Sequence, residues 1–129
     1  MLRFIYEELK RAPIVGVKCV AEFLGVSSPS AHQILDRLAS KNLLIRIRGK
    51  GYVLSERGRS TARRIVISHR VLEIVFCKLF GMSAECACEL ASYIDFLIES
   101  RYAERALRVM KHPPICPHNK AIPIGDLDE

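Results

Sequence analysis

Residues 25–38 constrain this chain more than any other stretch, because they close one helix and open another around a glycine turn. Val17 to Leu24 reads as a short helix with Val17, Val20, Ala21 and Leu24 on one side, and Gly25 suits its left-handed C-cap. After the turn Gly25-Val26-Ser27, Ser28 can cap the next helix with its hydroxyl. Pro29 at the first helical position loses only an amide that had no helical partner. Ala31, Ile34, Leu35 and Leu38 form the inward stripe of that helix. Its other face carries Ser30, His32, Gln33 and Arg37, polar tips with little fixed charge, which suit base edges in a DNA groove. An ordinary solvated helix face has the same composition, so the flanking segments have to decide. Short helix, glycine turn and second helix form the helix-turn-helix pattern.

The flanks favour nucleic acid. Leu2 to Lys10 reads as a first helix ended by Ala12-Pro13. Leu43 to Arg48 reads as a strand, Gly49-Lys50-Gly51 as a turn and Tyr52 to Leu54 as the returning strand. A basic hairpin directly after a helix-turn-helix is a wing, and Arg46, Arg48 and Lys50 at its tip suit phosphates. Residues 1–68 hold 13 Lys/Arg against 5 Asp/Glu, whereas residues 69–129 hold 7 against 9. That asymmetry fits a nucleic-acid-binding half joined to something else. Ser55 then caps a long helix, about 56–80, which would run roughly 35–40 Å. Ser83 opens another helix expected to reach about Ser100. A last one covers Tyr102 to Met110, before a proline-punctuated tail. The expected fold is mainly α: a winged helix-turn-helix over 1–64 and an α-helical domain over 65–129, with the long helix shared. The expected DNA contacts are Ser27, Ser28, Pro29, Ser30, His32, Gln33, Arg37, Arg46, Arg48 and Lys50, with double-stranded DNA as partner.

Half of the chain is apolar, which supports a real core, but no apolar run is long enough for a bilayer. No signal peptide opens the chain, and five scattered cysteines do not suggest a secreted disulfide scaffold. These features lead to the expectation of a cytoplasmic protein with no membrane partner.

Five segments together resemble a known family: Tyr6 in the first helix, Val26-Ser27-Ser28-Pro29-Ser30, Leu54-Ser55-Glu56-Arg57-Gly58, His69-Arg70-Val71-Leu72-Glu73, and Cys116-Pro117-His118-Asn119-Lys120-Ala121-Ile122-Pro123. The chain resembles, over essentially its whole length, metal-dependent transcriptional repressors of the diphtheria-toxin-repressor type, which respond to iron or manganese. The resemblance implies that residues 65–129 dimerise and bind a divalent metal that drives operator binding. His69 and Glu73 match the family's His and Glu and project from one helix face at i and i+4. Cys88 falls where the family commonly has His, Ser92 at a Cys or Glu ligand, Asp95 at a Glu ligand and Phe96 at the final His. Arg3 lies where some manganese-type members have Glu, and the ligand-bearing start of the first helix is missing. Longer members carry a further SH3-like C-terminal domain, which a chain stopping at Glu129 is expected to lack.

The resemblance leaves His69, Glu73, Cys88 and Asp95 as the expected metal ligands, with Cys116 and His118 as weaker candidates. Thiolate and imidazole suit zinc, and the family suggests iron or manganese. Cys86 and Cys88 point about 200° apart on a helix, so one site does not use both. The competing account is a vestigial site, with His69 bonded to Glu73 and Cys88 packed in a core. The expected function is a metal-responsive repressor that binds a palindromic operator as a homodimer through Leu90, Ile94, Leu97 and Ile98. The alternatives are a metal-independent regulator or one that senses thiol oxidation. A more distant one is a Cys/His hydrolase built on Cys116 and His118. Those two lie in one turn with no oxyanion donor beside them, so the chain is not expected to be an enzyme.

Overall fold

The computed structural model describes residues 1–111, 117–118 and 122–123. It is mainly α-helical and divides into two compact units, Met1–Ala62 and Arg63–Glu129. The first unit is a winged helix-turn-helix. Helix α1 covers Leu2–Glu8, α2 Val17–Leu24 and α3 Ser28–Ser40, followed by strands β1, Leu44–Ile47, and β2, Gly51–Leu54. Gly25 ends α2 at φ 66°, a left-handed cap that favours glycine. Ile5, Val20, Ala31 and Leu35 are fully buried and form the centre of this unit with Val15, Leu44, Tyr52 and Leu54.

The cap of α3 is Ser27, not the expected Ser28. The Ser27 hydroxyl accepts the Ser30 amide at 3.3 Å. Adjacent serines are chemically equivalent caps, and Pro29 is tolerated at either of the first two helical positions, so the residues alone do not choose.

The hairpin pairs Leu44 with Leu54, Ile45 with Val53, Arg46 with Tyr52 and Ile47 with Gly51. A third segment joins β2: Val15 and Tyr52 exchange both backbone hydrogen bonds, at 2.8 and 3.0 Å. Gly51 sits at φ 144°, and a Cβ there would lie 2.3 Å from the Val15 carbonyl oxygen, so this crossing requires glycine.

Helix α4 spans Glu56–Phe80, beginning in the first unit and ending in the second. Ser55 opens it: its hydroxyl accepts the Gly58 amide at 2.9 Å and donates to the Asn42 carbonyl at 2.5 Å. In the second unit, Ile67, Val71 and Ile74 of α4 pack with Ala103, Leu107 and Ile122. The long helix expected after Ser83 is broken. Helix α5 covers only Ala84–Ile94, a 3-10 turn covers Asp95–Leu97, and α6 starts early, spanning Ser100–Val109. The apolar spacing of Leu90, Ala91, Ile94, Leu97 and Ile98 continues through the break, which hides it. At the break stands Asp95, whose carboxylate is buried against His69 at 3.1 Å. Leu90 and Ile94 therefore do not share one helical face with Leu97 and Ile98.

Candidate metal centre and nucleic-acid interface

The middle of α4 buries polar side chains that an amphipathic helix normally exposes. His69 and Glu73 are one turn apart, 2 % and 3 % exposed. Buried polar groups need partners, and here the partners are one another. His69 Nε2 lies 2.6 Å from Glu73 Oε1 and 3.4 Å from the Cys88 sulfur, which α5 supplies. His69 Nδ1 lies 3.1 Å from Asp95 Oδ2. On the other side, His118 Nδ1 lies 2.6 Å from Glu73 Oε2. Burial alone pushes the Glu73 carboxyl up, but hydrogen bonds and charge from His69 and His118 outweigh it and hold the carboxyl below its ordinary value.

Among the described residues, His69, Glu73 and Cys88 form a group of potential ligand atoms all within 4.8 Å of one another. An imidazole nitrogen, a carboxylate and a thiol sulfur are the donor types of a four-coordinate zinc site. Ionised carboxylates only accept hydrogen bonds, so both ring nitrogens of His69 donate when Glu73 and Asp95 are ionised. Asp95 therefore sits at the opposite ring nitrogen from Glu73 and Cys88. A carboxylate on that nitrogen fixes the tautomer and orientation of an imidazole that ligates through the other. His118 reaches the group through Glu73. Ser92 is exposed with its hydroxyl on the Cys88 carbonyl at 2.8 Å, and Phe96 is exposed. Cys86 is exposed at the start of α5. Cys116 lies outside the described residues. Cys19 and Cys77 are half-buried, and burial pushes both thiols up, which suppresses thiolate chemistry.

In the first unit, Ser27, Ser28, Pro29, Ser30, Gln33 and Arg37 are exposed on α3 or its cap, and Arg46, Arg48 and Lys50 are exposed on the hairpin. His32 differs from them: it is half-buried, with Nδ1 2.8 Å from the Tyr52 hydroxyl. That hydroxyl donates to Asp36 Oδ1 at 2.5 Å, and Arg46 Nη1 lies 3.9 Å from the same oxygen. Burial first, then the Asp36 hydrogen bond and charge, push the Tyr52 phenol up to about 12 against the opposing pull of Arg46. Tyr52 and Asp36 escaped the sequence reading. A usable signal existed, since Asp36 stands one turn after His32 and a buried tyrosine hydroxyl has to find a partner. His32, Arg46, Lys50 and Tyr52 line a cleft of about 260 Å³ between α3 and the hairpin.

Residues 55–124 match the family model described as iron dependent repressor, metal binding and dimerisation domain. The iron-dependent repressor IdeR of Mycobacterium tuberculosis is 27 % identical over 124 residues, covering 95 % of this chain and 53 % of that protein. The chain thus spans about half the length of the curated relatives it matches. Among solved structures, the manganese regulator SloR superposes with a TM-score of 0.82 at 26 % identity, covering 95 % of this chain and 57 % of that one. The T. acidophilum IdeR does so with 0.76 at 26 %, over the same shares. Among the described residues, no helix is long and apolar enough to cross a membrane.

Proposed function

We propose, from the premise that this chain belongs to the iron-dependent repressor family, that it is a DNA-binding transcriptional regulator whose affinity for duplex DNA depends on a divalent metal. The observation that carries the reading is the buried convergence of His69, Glu73 and Cys88. In this reading residues 1–64 bind DNA, residues 65–129 bind metal and dimerise, and the protein is not an enzyme. His69 Nε2, the Glu73 carboxylate and the Cys88 thiolate are the ligands, and Asp95 orients His69. His118, already on Glu73, either completes the set or holds that carboxylate. A divalent ion would be held here by residues of both α4 and α5 and would supply a Lewis-acid centre. One sulfur and one imidazole favour zinc over manganese. Cys88 gives up its thiol proton to ligate, so binding strengthens as pH rises.

On α3, Gln33 reads bases while Arg46, Arg48 and Lys50 meet phosphates. Gln33→Ala should flatten base preference. Arg46→Ala with Arg48→Ala should weaken binding to all duplexes and reduce the slope of log affinity against log salt by about 2. Anisotropy titrations on selected and random duplexes at several salt concentrations test this division. Equal losses from both variants on both DNAs would contradict it.

The dimer surface in this reading draws on Leu90 of α5 and on Leu97 after the break, both exposed large apolar side chains, with the half-buried Ile94 and Ile98 contributing from the same two segments. Sedimentation at micromolar concentration should give a dimer, and a monomer would contradict the two-fold assembly.

A further inference from the structure

We propose that Asp36 and Tyr52 are positioning residues that lock His32 in a single tautomer, so that α3 offers the imidazole Nε2 to DNA as a hydrogen-bond acceptor. His32 would then select a base whose major-groove edge carries an amine, adenine or cytosine. The base selection rests on the reading that α3 meets DNA, whereas the tautomer lock stands on geometry alone.

The lock follows from counting protons. An ionised aspartate has no hydrogen to give, so the contact at 2.5 Å between Tyr52 and Asp36 is filled by the single phenolic hydrogen. The Tyr52 oxygen then has only lone pairs to offer His32. The contact at 2.8 Å therefore requires the hydrogen on Nδ1. With Nδ1–H fixed, the neutral ring carries its lone pair on Nε2. None of the hydrogen bonds or ion pairs of His32 among the described residues uses Nε2: the contacts with Tyr52 and with Asp36, at 3.7 Å, are both through Nδ1. The His32 side chain is 38 % exposed, so Nε2 can take an outside partner.

The chain of partners also ties α3 to the hairpin. Tyr52 is 1 % exposed and sits on β2 opposite Arg46, so its ring cannot follow His32 if the helix shifts. Asp36 lies one turn along α3 from His32 and shares its Oδ1 with Arg46 at 3.9 Å. In the major groove, adenine N6 and cytosine N4 donate, whereas guanine O6 and N7 and thymine O4 accept. An acceptor at Nε2 matches the first pair and opposes the second.

The lock also predicts how it can be reversed. Asp36→Ala removes the acceptor of the phenolic hydrogen, and the freed hydroxyl can donate to Nδ1, which moves the ring proton to Nε2. The acceptor becomes a donor. Tyr52→Phe keeps the ring in the core but removes the partner of Nδ1, leaving the tautomer unfixed.

The test is a nitrogen-15 spectrum of the histidine rings in the full chain at pH 8, with His32 assigned by its loss in His32→Gln. The wild type should show a protonated Nδ1 and an unprotonated Nε2, Asp36→Ala the reverse, and Tyr52→Phe a mixture. Selection from random duplexes should show the preferred base at one position switching from adenine or cytosine to guanine or thymine in Asp36→Ala, by about tenfold. A wild-type ring protonated at Nε2 overturns the lock. A correct spectrum with unchanged base preference in Asp36→Ala overturns the assignment of His32 as a base reader. Wild-type protein that shows the lock but binds no duplex overturns the reading of α3 itself.

Discussion

Replacing Cys88 by Ser should lower zinc affinity by at least about 100-fold while leaving the stability of the second unit nearly unchanged; even outer-shell changes at metal sites cost 10- to 100-fold. The sulfur is half-buried and lies 3.4 Å from His69 Nε2, so the smaller hydroxyl fits without loss of packing, but a neutral hydroxyl is a poor ligand. His69→Ala should remove affinity as well, and for a second reason it should also destabilise the fold. His69 stands between Glu73 and Asp95, whose side chains are 4 % and 6 % exposed. Deleting the imidazole takes one partner from each of two buried carboxylates, Glu73 keeping His118, a loss of up to about 3 kcal/mol, the lower end for broken buried ion pairs. The pair of variants separates ligation from folding: competition titrations with a zinc chelator read the first, and denaturant unfolding reads the second. Unchanged zinc stoichiometry and affinity in both variants would leave His69 and Glu73 as a hydrogen-bonded pair and nothing more.

Glu73 adds a pH dependence with a definite sign. Its carboxyl is held below the ordinary value of 4.5 in the fold. Its contribution to stability is therefore fully present above pH 4.5 and is lost as pH falls from there through the lowered folded value. Glu73→Gln should remove that part of the acid transition of the second unit. A parent and variant with superimposable acid unfolding curves would contradict it.

Gly58→Ala should be severely destabilising to the first unit. Gly58 lies in the first turn of α4, and a Cβ there would fall 1.8 Å from the Leu43 carbonyl oxygen and 2.8 Å from its carbon. Both are backbone atoms in a segment held by neighbours: the Leu43 amide bonds Leu38, and the Leu43 carbonyl accepts the Ser55 amide at 3.1 Å. Neither side can swing away as a flexible side chain would. The cost should be about 3 kcal/mol or more, at the upper end for overpacking. Arg59→Ala, at the exposed neighbour, serves as the control. Amide exchange of α2 and α3 resolves the first unit separately, since one unfolding curve need not describe two units. Protection within about 0.5 kcal/mol of the parent, the usual range for surface changes, would show that the start of α4 is free to move.

What could be read from the residues was local. Gly25 and the spacing of Val17, Val20, Ala21 and Leu24 mark the bounds of α2 because capping and periodicity act within a turn or two. Ser27 and Ser28 differ only in which amide they reach, so the residues alone leave the cap of α3 open between them. The break after Ile94 was hidden because the apolar spacing runs through it, and the contact that Asp95 makes there is with His69, a residue distant in sequence. Asp95 for the same reason carried no mark of which ring nitrogen it meets. Tyr52 looked like a strand residue, and its bond to His32 depends on the pairing of β2 with Val15 on one side and β1 on the other. The convergence of His69, Glu73 and Cys88 came into view through family resemblance rather than spacing, since Cys88 replaces an imidazole with a thiol.

The most direct measurement of the central proposal is the affinity for one duplex, selected by the protein from a random pool, with saturating zinc and with a chelator. Wild type, Cys88→Ser and His69→Ala are compared at fixed salt. Metal and DNA sites coupled through this fold should show zinc tightening the wild type by at least about tenfold, within the usual range of allosteric coupling, while both variants stay flat. Equal affinities of the wild type with zinc and with chelator would contradict metal control.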